Sequence, residues 1–340
     1  MPTVRPFRAL RYGAPALDKL VAPPYDVISD EQRLDYLARD PHNVVHLTLP
    51  DSPEQAAADF AAWRADGTLV EDEPAFWWVA QDYVGPDGVS RTREGVAASI
   101  EVKPYSAGEV LPHERTHAGP KEGRLRLLRA TRTQLEPIFL FYDAEPPVSR
   151  PDGEPDLDVE EGGVRTRLWR IPATAPVEID TPLLIADGHH RYETAVAFRE
   201  EDASATHMLG VLVSSRAPGL EIFPTHRLVQ AVGDVPGEAV DAPGDGVTLY
   251  RAGKYVRVET DDDFGPRVVE SFHPEGVSYT AYADEAIAAV DRGDAAAAFL
   301  LQPVTVEQVG RFAHAGEVMP QKSTFFYPKL TSGLLFHPIG

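Results

Sequence analysis

The chain has 340 residues, no cysteine and a formal net charge of −21, a length that predicts two domains or one large intertwined domain. The missing cysteines exclude thiol catalysis, disulfides and thiolate metal sites, and the acidic charge disfavours nucleic acid, which binds mainly to cations. No apolar run reaches the roughly 20 residues that span a bilayer, and residues 1–6 lack a signal-peptide pattern, so we expect a cytoplasmic protein with no membrane partner.

The first part of the chain predicts two capped helices, a hairpin and a buried strand. Residues 29–32 form a capping box, and residues 52–55 begin a helix with proline at its first position. Residues 76–101 hold two strand patterns on either side of a Gly-Pro-Asp-Gly turn, which is typical of a β-hairpin. A basic helix is expected over residues 121–132, followed by a short buried strand over residues 138–142.

A stretch rich in proline, glycine and acidic residues indicates a boundary near the middle of the chain. We therefore predict an N-terminal α+β subdomain over residues 1–145 and an acidic Pro/Gly-rich linker over residues 146–163. A C-terminal α/β subdomain is predicted over residues 164–340.

The C-terminal part alternates strand and helix patterns. Strands are predicted over residues 164–171, 183–186 and 208–213, with a helix over residues 190–201. Residues 234–245 have the composition of a long loop, and Thr305 has the position of a helix N-cap. The fold class predicted from the whole pattern is α+β, with mixed sheets and helices.

The turn at residues 187–191, Asp-Gly-His-His-Arg, joins an apolar strand directly to a helix. Gly188 allows a backbone conformation and a close ligand approach that other residues hinder. The first turn of a helix presents N–H groups and a positive dipole end, to which His190 and Arg191 add donors. The pattern predicts a phosphate or other anion site; the alternative is an ordinary aspartate cap with surface histidines.

A second motif, His113-Glu114-Arg115-Thr116-His117, has the spacing of the zinc protease helix motif. Proline and glycine residues on both sides disfavour the continuous helix that this motif needs. A polar loop in which Glu114 acts as a base and Lys121 binds an anion is one alternative, and pairing of Glu114 with surface charges is another.

Two further segments carry candidate binding residues. Lys322 and Lys329 lie among aromatic residues in an otherwise apolar stretch, so each is expected to meet a carboxylate or a ligand anion; the alternative is that both reach solvent. In a Pro-Pro loop near the N-terminus, Tyr25 and Asp26 are candidates for lining a cleft.

Four segments taken together resemble a widespread family of uncharacterised prokaryotic proteins, known as domain of unknown function number 1015. The match is specific as a set and spans nearly the whole chain. Membership implies no settled activity. The segments are residues 22–27, 113–122, 186–191 and 322–329.

The turn itself is similar to the nucleotide-binding turn of the superfamily that joins the ParB proteins, sulfiredoxin and the archaeal free serine kinase. In sulfiredoxin the turn reads Gly-Cys-His-Arg, and His189 stands where that enzyme needs its cysteine, which excludes sulfiredoxin activity. In the kinase it reads Asp-Gly-His-x-Arg, matching Asp187, Gly188, His189 and Arg191, with the phosphate donor bound there. The resemblance implies a ParB/sulfiredoxin-like strand-turn-helix unit.

These interpretations predict an enzyme that transfers a phosphoryl group to or from a small hydroxylated metabolite such as serine. The cofactor expected is a nucleotide (ATP or ADP) or pyrophosphate, with Mg²⁺. The predicted roles are catalytic for Glu114, Asp187 and His190, phosphate-binding for Gly188, His189, Arg191, Lys121, Lys322 and Lys329, and cleft-lining for Tyr25 and Asp26.

Two other functions stay open at this point. One is a ParB-like nucleotide-binding regulator, which the acidic charge and the absence of a basic arm disfavour. The other is a metal-dependent hydrolase that uses His113, Glu114 and His117. The sequence identifies neither a metal nor the oligomeric state.

Overall fold

The computed structural model describes residues 1–114 and 118–339, without the side chains of residues 118–121. The chain divides into two compact units. Among the described residues, unit 1 contains residues 1–112, 118–220 and 328–339, and unit 2 contains residues 113–114 and 221–327.

Unit 1 is built on a mixed sheet of ten strands among the described residues. Its strands are β1 (Thr3–Arg5), β2 (Leu10–Tyr12), β3 (Leu69–Glu71), β4 (Ala75–Val84), β5 (Ser90–Glu101), β6 (Val110–Leu111), β7 (Thr133–Gln134), β8 (Ile138–Tyr142), β9 (Leu157–Glu161), β10 (Val164–Pro172), β11 (Val177–Glu178), β12 (Leu183–Asp187), β13 (His207–Ser214) and, after unit 2, β22 (His337–Pro338). Its helices are α1 (Asp30–Arg39), α2 (Val45–Thr48), α3 (Pro53–Ala65), α4 (Ala118–Thr131) and α5 (His189–Glu201).

The order of the large sheet is β6-β12-β8-β13-β5-β4-β10-β9, and β1 pairs with both β5 and β11. Strand β8 lies in its interior, antiparallel to β12 and parallel to β13. All five residues of β8 are buried, as expected for a short apolar strand covered on both faces. This arrangement places the end of β12 inside the fold, at the entry to α5.

Unit 2 is built on a smaller sheet with the order β16-β18-β17-β20-β15-β19. Its strands are β14 (Glu221–Phe223), β15 (His226–Val229), β16 (Gly237–Val240), β17 (Thr248–Arg251), β18 (Lys254–Val258), β19 (Ser278–Thr280), β20 (Ala297–Leu300) and β21 (Phe325–Tyr327). Its helices are α6 (Gly265–Ser271), α7 (Ala283–Arg292) and α8 (Val306–Ala315). The mixed sheets and helices of the two units confirm the α+β class.

The local signals of the sequence are confirmed at several elements. Ser29 and Thr305 each form a capping box, and Ser52 caps α3. The predicted hairpin is the antiparallel pair β4–β5. Helix α4 begins at Ala118, three residues before the predicted start, because a proline within the first helical turn removes no intrahelical hydrogen bond.

The predicted division of the chain differs from the observed one. Residues 146–163 lie within unit 1, and strands from both sides of this stretch belong to one sheet. Within it, β9 pairs with β10 and buries Leu157 and Val159 between exposed acidic residues. This alternation is the mark of a strand with one buried face, which the acidic composition concealed. The predicted loop at residues 234–245 likewise contains β16.

Among the described residues, no helix has both the length and the apolar character that crossing a bilayer requires. The cytoplasmic location stays a prediction.

A buried histidine in unit 2 predicts acid sensitivity. The imidazole Nδ1 of His226 accepts a hydrogen bond from the Leu301 N–H at 3.0 Å, and burial lowers the pKa of His226 to about 4. The unfolded chain takes up this proton near pH 6.5, so stability is complete above that pH and is lost as the pH falls towards 4. We expect a loss of about 1.4 kcal/mol per pH unit, near 3 kcal/mol in total.

Urea unfolding followed by circular dichroism at pH 7.5, 6 and 5 measures this loss. The variant His226→Asn, which keeps an acceptor but does not titrate, should show a shallower pH dependence than the wild type. Equal slopes for the two proteins would contradict the assignment.

Candidate functional site

The turn between β12 and α5 requires glycine. Gly188 has a φ of +96°, in the left-handed region that other residues rarely adopt. A Cβ atom at this position would lie 2.8 Å from Ile138 Cγ2 and 3.1 Å from Arg191 Nε. The backbone therefore passes unusually close to the Arg191 guanidinium.

Asp187, the last residue of β12, binds two cations. Its Oδ1 accepts a hydrogen bond from Lys329 Nζ at 2.5 Å, and its Oδ2 accepts one from Arg191 Nη2 at 2.7 Å. Arg191 Nη1 also donates to the Pro137 carbonyl. The Arg191 side chain is 8% exposed and that of Lys329 is 23% exposed, so the lysine is the more accessible cation of the pair.

The electrostatics keep these groups ionised. Burial acts to raise the pKa of Asp187, but Lys329 and Arg191 together hold that pKa well below its ordinary value. Burial acts to lower the pKa of Arg191, but Asp187, then Glu136, raise it above its ordinary value. Both partners are therefore charged at neutral pH.

Arg93, on β5, is a buried arginine whose direct hydrogen bonds go to uncharged groups. Its Nη2 donates to Gln81 Oε1 and, at 2.7 Å, to the Pro328 carbonyl, and its guanidinium lies 4.3 Å from the centre of the Phe139 ring. Burial lowers the pKa of Arg93 to about 10, an effect that the Asp187 charge partly opposes. By binding Pro328, Arg93 fixes the backbone that presents Lys329.

Glu136 joins three parts of unit 1. Its Oε1 accepts hydrogen bonds from the Tyr25 N–H at 3.0 Å and from Ser332 Oγ at 2.9 Å, and its Oε2 lies 3.5 Å from Arg124 Nη1. The sequence analysis missed Glu136, Arg93 and Arg124 as site residues. For Glu136 the available signal was an acidic residue and a proline immediately before a fully apolar strand.

The structure brings Tyr25 and Asp26 to the same region. The Arg124 guanidinium lies 3.7 Å from the centre of the Tyr25 ring. Burial raises the pKa of Tyr25, and the charges of Arg191 and Arg124 oppose that rise. Asp26 is exposed, and its charge raises the pKa of Arg191.

We use the name charge cluster for seven residues of unit 1 that these interactions connect. They comprise four cations and three carboxylates, an excess of one positive charge in a chain of net charge −21. Such a local excess favours an anionic ligand. The cluster consists of Arg93, Arg124, Arg191, Lys329, Asp26, Glu136 and Asp187.

The two histidines of the turn begin α5. His189 is buried and its charge contributes to the low pKa of Asp187. His190 is partly exposed, and its carbonyl accepts a hydrogen bond from Thr194 Oγ1 at 2.7 Å.

Glu114 and Lys322 meet within unit 2. The Lys322 N–H donates to Glu114 Oε1 at 3.1 Å, and Lys322 has a left-handed φ of +55°. The buried His113 has its Nε2 2.9 Å from Thr324 Oγ1.

The zinc-motif interpretation lacks its helix. Glu114 forms a β-bridge with Met319, and α4 begins only at Ala118. His117 and the Lys121 side chain lie outside the described residues. Within the described part of the chain, no group of three or more histidine, aspartate or glutamate side chains is placed to hold a metal ion.

A small cavity lies beside the charge cluster. Its volume is about 40 Å³, and Arg124, Glu136 and Arg191 are among its lining residues. That space holds about one water molecule. A larger anion must therefore meet the cluster on the side of Lys329.

The chain matches one protein family over most of its length. Residues 4–248 match the family described as a protein of unknown function, DUF1015. The chain belongs to this family, which confirms the resemblance seen in the sequence. No curated protein matches the chain significantly.

Several solved structures are similar to the chain. C-terminally truncated SbnI from Staphylococcus aureus has 11% identity and a TM-score of 0.44, over 69% of this chain and 85% of that chain. A free serine kinase in complex with AMP has 15% identity and a TM-score of 0.41, over 71% and 91%. A conserved hypothetical protein from Pyrococcus furiosus has 15% identity and a TM-score of 0.38, over 69% and 93%. At these values we transfer no ligand or activity from them.

Proposed function

We propose that unit 1 binds the phosphate group of a nucleotide, pyrophosphate or phosphorylated metabolite at the turn between β12 and α5. The reaction proposed is phosphoryl transfer to or from a small hydroxylated metabolite such as serine. The observation that carries the proposal is the partly exposed Lys329 ammonium, held 2.5 Å from Asp187 beside a glycine turn and within a cluster of excess positive charge.

Phosphoryl transfer requires mainly positioning and charge neutralisation. Lys329 supplies the mobile positive charge, and Arg191 supplies a fixed one. Asp187 keeps both cations oriented before the ligand arrives, so little reorganisation is needed when it binds. Gly188 leaves room for a phosphate oxygen to approach the backbone.

Two carboxylates have different suitability for the remaining roles. Both oxygens of Asp187 already accept hydrogen bonds from cations, which gives Mg²⁺ a poor fit at that residue. Asp26 is exposed and close enough to Arg191 to raise its pKa, so Asp26 is better placed to accept a proton from a substrate hydroxyl. The catalytic roles of His190 and Glu114 stay predictions.

A binding screen tests this proposal. Thermal unfolding is measured with ATP, ADP, pyrophosphate and phosphoserine, each with and without Mg²⁺. A ligand that binds only the folded protein stabilises it by about 2.7 kcal/mol at a concentration of about 100 Kd. We expect at least one of the four to stabilise the wild type, and phosphorus NMR with serine or phosphoserine to detect transfer.

The test variant is Lys329→Met, which should weaken binding of that ligand by about tenfold or more, since a hydrogen bond between charged groups contributes about 1.5–3 kcal/mol. The matched control is Lys254→Met, at an exposed lysine of unit 2, which should leave affinity unchanged. The proposal fails if no ligand stabilises the wild type, or if the two variants behave alike.

A further inference from the structure

A second pocket of unit 1 contains basic groups that the proposed function does not use. Its volume is about 330 Å³, which is enough for a small ligand. Four strands supply the polar residues of its wall. These residues are Arg5 of β1, Ser99 of β5, His207 of β13 and His337 of β22.

Each of the two histidines has one bound nitrogen and one buried nitrogen that has no partner among the described residues. His337 Nε2 lies 2.7 Å from Ser99 Oγ, and its ring stacks on Phe7 with centroids 5.0 Å apart. His207 Nδ1 lies 2.8 Å from Thr206 Oγ1. The nitrogens without partners are His337 Nδ1 and His207 Nε2. Leaving a buried polar atom without a hydrogen bond costs about 1–3 kcal/mol, which a ligand can recover.

The charges around the pocket favour an anion. Arg5 is exposed, lines the pocket and acts on His207. Arg8 also lines the pocket, but it is paired with Glu73 at 2.7 Å and with Glu71 at 3.5 Å. Arg5 is therefore the cation best placed to bind a ligand.

The histidines are neutral in the free protein. Burial, followed by the charge of Arg5, lowers the pKa of His207; Arg199 acts in the same direction and Glu101 opposes it. Burial, together with the charge of His207, lowers the pKa of His337 to about 4. A bound anion would reverse this balance by favouring the protonated imidazoles.

We propose that this pocket binds a tetrahedral oxyanion, the phosphate group of a small ligand, with Arg5, His207 and His337 as its donors. Three donors from separate strands suit a ligand that presents oxygens in several directions. The pocket shares no residue with the charge cluster, so it is a second site that does not depend on the function proposed above.

Sulfate is the probe, because it is tetrahedral and remains a dianion throughout the pH range used. Histidine ring resonances are followed by NMR during sulfate titrations at pH 7.5 and 6.5, with assignment from His207→Gln and His337→Gln. We expect saturable shifts of both rings. If binding takes up one proton, Kd falls about tenfold for this change of one pH unit.

Two arginine variants of the same pocket provide the comparison. Arg5→Gln should weaken sulfate binding by about tenfold or more. Arg8→Gln, at an arginine already paired with two glutamates, should change Kd by less than about threefold. Lys329→Met should leave these ring shifts intact, which separates this site from the charge cluster. Shifts that do not saturate, equal losses in the two arginine variants, or a Kd independent of pH would each overturn the proposal.

Discussion

The variant Asp187→Asn is expected to lower the free energy of unfolding by about 3 kcal/mol or more. It removes the one negative charge that accepts hydrogen bonds from both Lys329 and Arg191. Arg191 is buried, and removing one partner of a buried ion pair typically costs about 3–5 kcal/mol, because the remaining charge is left uncompensated. Urea unfolding followed by tryptophan fluorescence measures the change.

A double variant identifies the cause. If uncompensated positive charge is responsible, adding Lys329→Met to Asp187→Asn should recover about 1 kcal/mol, since one of the unpaired cations is removed. The control is Asp18→Asn, at an exposed aspartate of the same unit, which should change stability by no more than about 0.5 kcal/mol. A similar loss in Asp18→Asn and Asp187→Asn would refute the explanation.

The variant Gly188→Ala is expected to lower the free energy of unfolding by about 2–5 kcal/mol. A left-handed backbone costs an alanine about 1–2 kcal/mol. The added methyl group would also lie 2.8 Å from Ile138 Cγ2, and overpacking of this kind costs about 1–3 kcal/mol. Denaturant unfolding measures the loss, and ligand binding measured on the same variant reports whether the turn still accepts phosphate.

The chain offers a matched control for this substitution. Gly67 also has a positive φ, +83°, but an added Cβ would meet nothing within 4 Å. Gly67→Ala should therefore show only the backbone cost of about 1–2 kcal/mol. The steric part of the argument requires Gly188→Ala to be clearly the more harmful of the two; equal losses would show that crowding at the turn is unimportant.

The elements that the sequence predicted well are those specified by neighbouring residues. A helix cap at Ser29 or Thr305 depends on a side chain three residues away, and the strand over residues 138–142 depends on its own apolar run. The strand–turn–helix at Gly188 is of the same kind. By contrast, β9 is acidic in composition and becomes a strand through its pairing with β10, so its neighbours in sequence indicated a linker.

The candidate site was predicted in part for the same reason. Asp187, Arg191 and Lys329 stand out because charged residues next to apolar segments need partners. Their actual partners depend on the chain path. Arg93 and Glu136 have little local signature, and their importance appears only when burial and contacts are known. A buried arginine near the middle of β5 has, in sequence, the appearance of a surface residue of a hairpin.

The sequence by itself determined the family, the α+β class, the helix caps and the glycine turn with its charged residues, because each depends on side chains close together along the chain. Only the tertiary structure decided that Lys329 binds Asp187 across 142 residues, and that Glu136 joins Tyr25 to Ser332. It also decided where the chain divides into units. Such contacts are set by strand order and by burial, and pairing across a sheet is not encoded in the spacing of any one segment.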